Sequence, residues 1–174
     1  MKLVFQPSKY LKDKTVTLQS MDTPSGRFDV AVLDDMIVAA GYGDMTDRIA
    51  RMCGEVIVGT TTAGDEAVRQ LGEYFEGKRK AFELTALVCT GGFSAKCLQV
   101  LCEVPYGETW SYRQIAEAAG SPKAYRAAGM ANHRNAHAVL IPCHRVIGAD
   151  GSLTGYAYGT HIKQWLLELE SSSS

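Results

Sequence analysis

Proline and glycine divide the second half of the chain into segments that can form only a set of short helices. Pro105-Tyr106-Gly107 stops a run in which Phe93, Cys97, Val100, Leu101 and Val104 recur at helical spacing. Proline cannot continue a helix, and glycine accepts the left-handed turn that ends one. Ser111 followed by Gln114 predicts a capping box opening a short helix with Ile115, Ala116 and Ala119, which Gly120 ends. Ser121 is expected to cap the next helix, with Pro122 in its first turn and Tyr125 to Asn132 following. The apolar run Ala138–Ile141 then leads into Pro142-Cys143-His144-Arg145, and Thr160 is expected to cap a closing helix with Ile162, Trp165, Leu166 and Leu169.

The first half has a different period. Thr15–Leu18 and Phe28–Leu33 read as strands, Asp34-Asp35 as a turn and Met36–Ala40 as the returning strand. Asp65 is expected to cap a helix carrying Ala67, Leu71 and Phe75, closed by Gly77. Lys78-Arg79-Lys80 begins a polar connection, which puts a domain boundary near residues 80–92. The expected fold is an α/β N-terminal domain over 1–88, a β-sheet with a flanking helix. A mainly α-helical C-terminal domain with a helix-turn-helix follows over 89–170, then a polar tail over 171–174.

Composition excludes several classes. With 46% hydrophobic and 21% charged residues in 174, the chain is ordinary for a soluble globular protein. No apolar run approaches the roughly 20 residues of a membrane span, and Met1-Lys2-Leu3 does not open a signal peptide. The expected location is cytoplasmic, or nuclear in a eukaryote, with no membrane partner. Five cysteines, Cys53, Cys89, Cys97, Cys102 and Cys143, are an odd number and do not suggest a disulfide framework. Those at 89, 97 and 102 read as core thiols. No pattern supports a metal site.

The net charge of −1 hides a local excess: Arg113, Lys123, Arg126, Arg134 and Arg145 stand against Glu117 in segment 112–145. That suits a confined phosphate-contacting face, and equally a solvated helix face. Two short helices joined by Gly-Ser-Pro suit a helix-turn-helix, with Lys123 and Arg126 where a recognition helix makes contacts; such pairs also occur in proteins that never meet DNA. Cys143 stands apart from the other cysteines and precedes His144 and Arg145. A base and a positive charge are what a reactive thiol needs, although neighbours in sequence need not be neighbours in space.

The stretch Asn135-Ala-His-Ala-Val-Leu-Ile-Pro-Cys143-His-Arg-Val resembles the active-site motif of the O6-alkylguanine-DNA alkyltransferases. The resemblance extends through Val104-Pro-Tyr-Gly-Glu-Thr-Trp-Ser-Tyr112, Arg126-Ala-Ala-Gly, Gly151-Ser-Leu-Thr-Gly-Tyr156 and Trp165-Leu-Leu-Glu-Leu-Glu170, covering about 93–170 strongly. The N-terminal part is similar in layout only, ending in Gln70-Leu-x-x-Tyr-Phe-x-Gly77. The resemblance implies direct transfer of an alkyl group from O6 of guanine, or from O4 of thymine, to Cys143, in a single irreversible turnover without a cofactor. The implied partner is double-stranded DNA containing O6-alkylguanine, bound in the minor groove with the base flipped out, by a monomer.

It also implies residue roles. Cys143 is the acceptor, His144 its base, Glu170 the acid orienting His144, and Asn135 the residue organising the turn. Tyr112 supports the leaving guanine and presses on a phosphate. Arg126 fills the vacated stack, with Lys123, Ala127 and Arg134 along the DNA face, and Tyr156, Ala157 and Tyr158 border the alkyl pocket. Two places depart from the family pattern: Thr90-Gly-Gly-Phe-Ser-Ala-Lys-Cys-Leu, and Tyr158 where a small residue is frequent. Two other readings compete. A non-catalytic sensor of alkylated bases would lack the acceptor cysteine. A cysteine hydrolase using Cys143 and His144 would need an oxyanion hole and would leave the DNA-binding elements without a purpose.

Overall fold

The computed structural model describes residues 1–173 and divides into two compact units, Met1–Thr90 and a second beginning at Gly91. In the first unit, β1 (Lys2–Gln6), β2 (Thr15–Thr23), β3 (Gly26–Leu33), β4 (Met36–Tyr42), β5 (Glu55–Val58) and β6 (Thr85–Cys89) form one mixed sheet in the order β1-β6-β4-β3-β2-β5. The antiparallel core β2-β3-β4 turns at Asp34, which takes a positive φ of 55°, a conformation that aspartate tolerates better than most residues. The short helix α1 (Thr46–Ala50) precedes β5, and α2 (Thr62–Phe75) packs on β2, β3 and β4. It buries Ala67, Leu71, Tyr74 and Phe75.

The expected central strands and flanking helix are present, while β1, β5, β6 and α1 carried no distinctive period and were not anticipated. The cap of α2 is also displaced. Thr61, not Asp65, accepts the Gly64 N–H at 2.9 Å, while Asp65 lies in the first turn and accepts from Gln19 Nε2 at 2.9 Å.

The second unit contains α3 (Gly92–Leu101), β7 (Trp110–Ser111), α4 (Tyr112–Ala118), α5 (Tyr125–His133), a single 3-10 turn (Cys143–Arg145), β8 (Val146–Ile147) and α6 (Thr160–Ser172). Helix α5 packs against α3 and α4. The Ser111 capping box is formed: Gln114 N–H donates to Ser111 Oγ at 3.2 Å and Ser111 N–H to Gln114 Oε1 at 2.7 Å.

Other local expectations fail for identifiable reasons. Helix α3 ends at Leu101, so Val104 packs from the following loop. Ser121 does not cap α5, because its carbonyl closes a turn with the Ala124 N–H at 2.9 Å and the helix begins only at Tyr125. Lys123 therefore lies in the connecting turn. Thr160 is already helical, following Gly159 at φ 99° without a side-chain cap. The tail expected over 171–174 is partly helical: Ser171 and Ser172 donate back to the carbonyls of Glu168 and Leu169, each at 3.0 Å; Ser174 lies outside the described residues. Of the thiols expected in the core, Cys97 is buried, Cys89 half-buried and Cys102 exposed at the end of α3.

The capping box leads directly into Tyr112, so its loss should be measurable. Ser111→Ala is expected to lower stability by about 1 kcal/mol, read as a reduced thermal midpoint. An unchanged midpoint would mean that water replaces the cap without loss.

Candidate active site

The site is built from a turn that one asparagine closes. Asn135 follows the residue that caps α5, Arg134, and is buried. Its Nδ2 donates to Ile141 O at 2.8 Å and to His137 O at 3.4 Å, and its Oδ1 accepts the His137 N–H at 3.0 Å. The run Ala138–Ile141 is consequently a tight reversal. Within it Val139 is held at φ 70°, a strained conformation for a β-branched residue that persists only where its surroundings impose it. Pro142 then delivers Cys143 to the start of the 3-10 turn. The strand that follows, β8, pairs in parallel with β7, Trp110 opposite Val146 and Ser111 opposite Ile147. This pairing brings the start of α4, and hence Tyr112, beside the segment that carries the cysteine.

Cys143 is 5% exposed and His144 wholly buried. The partner of His144 comes from α6: Nε2 lies 2.7 Å from Glu170 Oε1. A carboxylate at that distance accepts, so Nε2 carries the proton and Nδ1 the lone pair. The same carboxylate accepts from Arg145 Nε at 2.8 Å, from Arg145 Nη2 at 3.0 Å and from the Gly107 N–H at 3.1 Å. Arg145 Nη1 donates to Val104 O at 2.7 Å.

Arg145 is therefore a buried structural cation and does not belong to the basic face suggested by segment 112–145. Its charge is committed to Glu170, which corrects the expectation that it could serve Cys143 directly. The remaining basic residues, Arg113, Lys123, Arg126 and Arg134, are exposed, as is Ala127. The Arg126 guanidinium lies 6.0 Å from the centre of the Tyr125 ring. A notch of about 290 Å³ beside Tyr112 is lined by Ser111, Arg113, Tyr125 and Ala149.

Two buried polar residues were not singled out from sequence. Lys163, on α6, donates to Val146 O at 2.5 Å and to Thr154 O at 3.1 Å. Thr154 O also accepts from the Tyr112 hydroxyl at 3.2 Å, so both donors anchor the loop between β8 and α6. Asn132, on α5, donates to Cys143 O at 3.2 Å. A lysine and an asparagine amid helical periodicity look like solvent-facing residues, and no local signal marks them as buried. Tyr156 and Tyr158 meet edge to face with centroids 5.6 Å apart on the anchored loop, with Ala157 exposed between them.

Burial holds the His144 imidazole below its ordinary value of 6.5 despite the opposing pull of Glu170. Burial alone would raise the Glu170 carboxyl, but hydrogen bonds from His144 and Arg145 and the charge of Arg145 outweigh it and hold the group well below 4.5. The neutral imidazole and the ionised carboxylate are thus the native forms. For both groups the folded value lies below the unfolded one, so their stabilisation is complete at neutral pH and declines as pH falls. The decline is expected in two stages, below 6.5 for His144 and below 4.5 for Glu170. Glu170→Gln should cost about 3–5 kcal/mol at neutral pH, because it leaves the Arg145 charge buried without its partner. It should also flatten the lower stage. Thermal midpoints across this range check both; a midpoint independent of pH would refute the assignment.

Residues 92–172 match the family described as 6-O-methylguanine DNA methyltransferase, DNA binding domain. The methylated-DNA–protein-cysteine methyltransferase of Methanosarcina barkeri is 53% identical over 108 residues, 62% of this chain and 68% of that protein. The protein of that name from Mycobacterium leprae is 41% identical over 152 residues, covering 87% and 90% of the two chains. The crystal structure of Mycobacterium tuberculosis OGT in complex with DNA superposes with a TM-score of 0.83 at 36% identity, covering 91% of this chain and 95% of that one. Similarity at this level along nearly the whole length places the chain in the methylated-DNA–protein-cysteine methyltransferase family.

Proposed function

We propose that the protein repairs DNA by moving an alkyl group from O6 of guanine to Cys143. The observation that carries the reading is the buried His144–Glu170 pair, whose histidine directly follows Cys143. Glu170 holds the Nε2–H, so the lone pair on Nδ1 is the base that draws the proton from the thiol, directly or through one water. The thiolate then displaces guanine in line at the alkyl carbon. The S–C bond forms, the C–O6 bond breaks with its electron pair going to the guanine, and the Tyr112 O–H, which donates to Thr154 O in the free protein, turns to donate to the departing guanine. The product is a thioether, and no group in the site hydrolyses a C–S bond, so each molecule acts once.

Membership in the family and the DNA complex of the similar Mycobacterium tuberculosis protein support duplex DNA as the partner. In this reading α4, the turn carrying Lys123, and α5 act as a helix-turn-helix on the minor groove. Arg126 and Ala127 lie at the exposed start of α5 and Arg134 at its end. The O6 atom is shielded inside a duplex, so the nucleotide must be extruded, at a cost of a few kcal/mol of stacking. Arg126 fills the gap, and Tyr156, Ala157 and Tyr158 border the alkyl group. Neither the sensor nor the hydrolase reading accounts for a cysteine followed by such a pair in a chain of this family.

Incubation with a duplex containing O6-methylguanine should add one methyl group to Cys143, detected by intact mass, and repair should saturate at one lesion per molecule. Cys143→Ser should abolish transfer while retaining DNA binding; repeated turnover would overturn the reading. Arg126→Ala should slow repair of the duplex far more than reaction with free O6-benzylguanine, since only the duplex requires extrusion. Equal loss on both substrates would remove Arg126 from the role of wedge.

A further inference from the structure

Asn132 lies in the last turn of α5 and is only 5% exposed. Its orientation is dictated by one neighbour: the carbonyl of Cys143 can only accept, so the amide nitrogen must face it, as the 3.2 Å contact records. Oδ1 is thereby turned to a buried position where it makes no hydrogen bond, an arrangement that proteins ordinarily avoid. The fold keeps an unsatisfied acceptor in order to direct the donor.

The nitrogen has a second N–H, and Tyr112 stands beside it. Gly129, one turn earlier on the same face of α5, lies against the Tyr112 ring: a Cβ there would be 3.7 Å from Cδ1. Burial holds the Tyr112 hydroxyl above its ordinary pKa, while hydrogen bonding from Asn132 draws it back. One amide thus adjoins both the backbone of the nucleophile and the phenol.

We propose that Asn132 is a positioning residue for alkyl transfer. One of its N–H groups holds the Cys143 carbonyl, and the other donates to the Tyr112 hydroxyl oxygen, making that O–H a stronger donor to the departing guanine. The inference rests on the reading of Cys143 as acceptor and Tyr112 as donor, and it extends the working site onto the helix that carries Arg126. A molecule reading DNA through α5 therefore orients its nucleophile and its hydrogen-bond donor through the same element.

Single-turnover rates on an O6-methylguanine duplex should be compared for the wild type, Asn132→Leu, Tyr112→Phe and the double variant, with thermal midpoints recorded for each. Asn132→Leu should slow transfer by about tenfold, less than the roughly 10²–10⁴ that a positioned proton donor is itself worth. That penalty should shrink several-fold in the Tyr112→Phe background, where no hydroxyl remains to polarise. Asn132→Asp supplies a readout independent of folding. Its carboxyl donates only while protonated, so its rate should fall as pH rises, whereas the wild-type rate should not. An equal penalty in both backgrounds overturns the proposal, as does a flat pH profile for Asn132→Asp should Asn132→Leu fail to fold. A wild-type protein that leaves Cys143 unmodified would instead refute the reading of the site on which the proposal stands.

Discussion

The second unit depends on how a single carboxylate is satisfied. Glu170 is taken wholly out of water, which would be strongly unfavourable for an unpaired charge. Four donors compensate it: His144 and Arg145 on one oxygen, Arg145 and the Gly107 amide on the other. These donors come from the 3-10 turn and from the loop after α3, while the acid comes from the last turns of α6. The arrangement therefore fixes three separate pieces of chain around the cysteine. It also determines the tautomer of His144, because a carboxylate has no proton to give. The same contact that closes the unit leaves the lone pair on Nδ1, which the proposed chemistry uses.

Stability and chemistry are distributed differently over the remaining residues. Buried groups, namely Asn135, Asn132, Lys163 and Arg145, bond mainly to backbone carbonyls or to Glu170, and they hold loops in conformations the backbone would not choose alone. Val139 at positive φ is the clearest case, clamped by the bonds that Asn135 makes to residues 137 and 141. Thr154 is another, its carbonyl shared between Lys163 and Tyr112. The basic groups proposed to meet DNA are exposed and lie on α5, at its end and in the turn before it, where long basic side chains retain the freedom to follow a phosphate backbone.

The sequence by itself determined whatever is decided within a few residues. The Ser111–Gln114 capping box, the Asp34-Asp35 turn and the stop at Gly120 were legible because their partners lie three or four positions apart and their chemistry is local. Cys143, His144, Asn135 and Glu170 were legible through resemblance, since a string of residue types can be matched without knowing where any side chain points. Residues that gain their meaning from distant partners were not legible in this way. Arg145 read as part of a basic surface and proved to be buried against Glu170, 25 residues away. Lys163 and Asn132 read as ordinary helix residues, and the strands β1, β5 and β6 had no strong period because their pairing is set by neighbours far along the chain. Only the tertiary structure settled these, because a polar side chain becomes structural only when folding removes water and leaves a particular carbonyl or carboxylate as its partner.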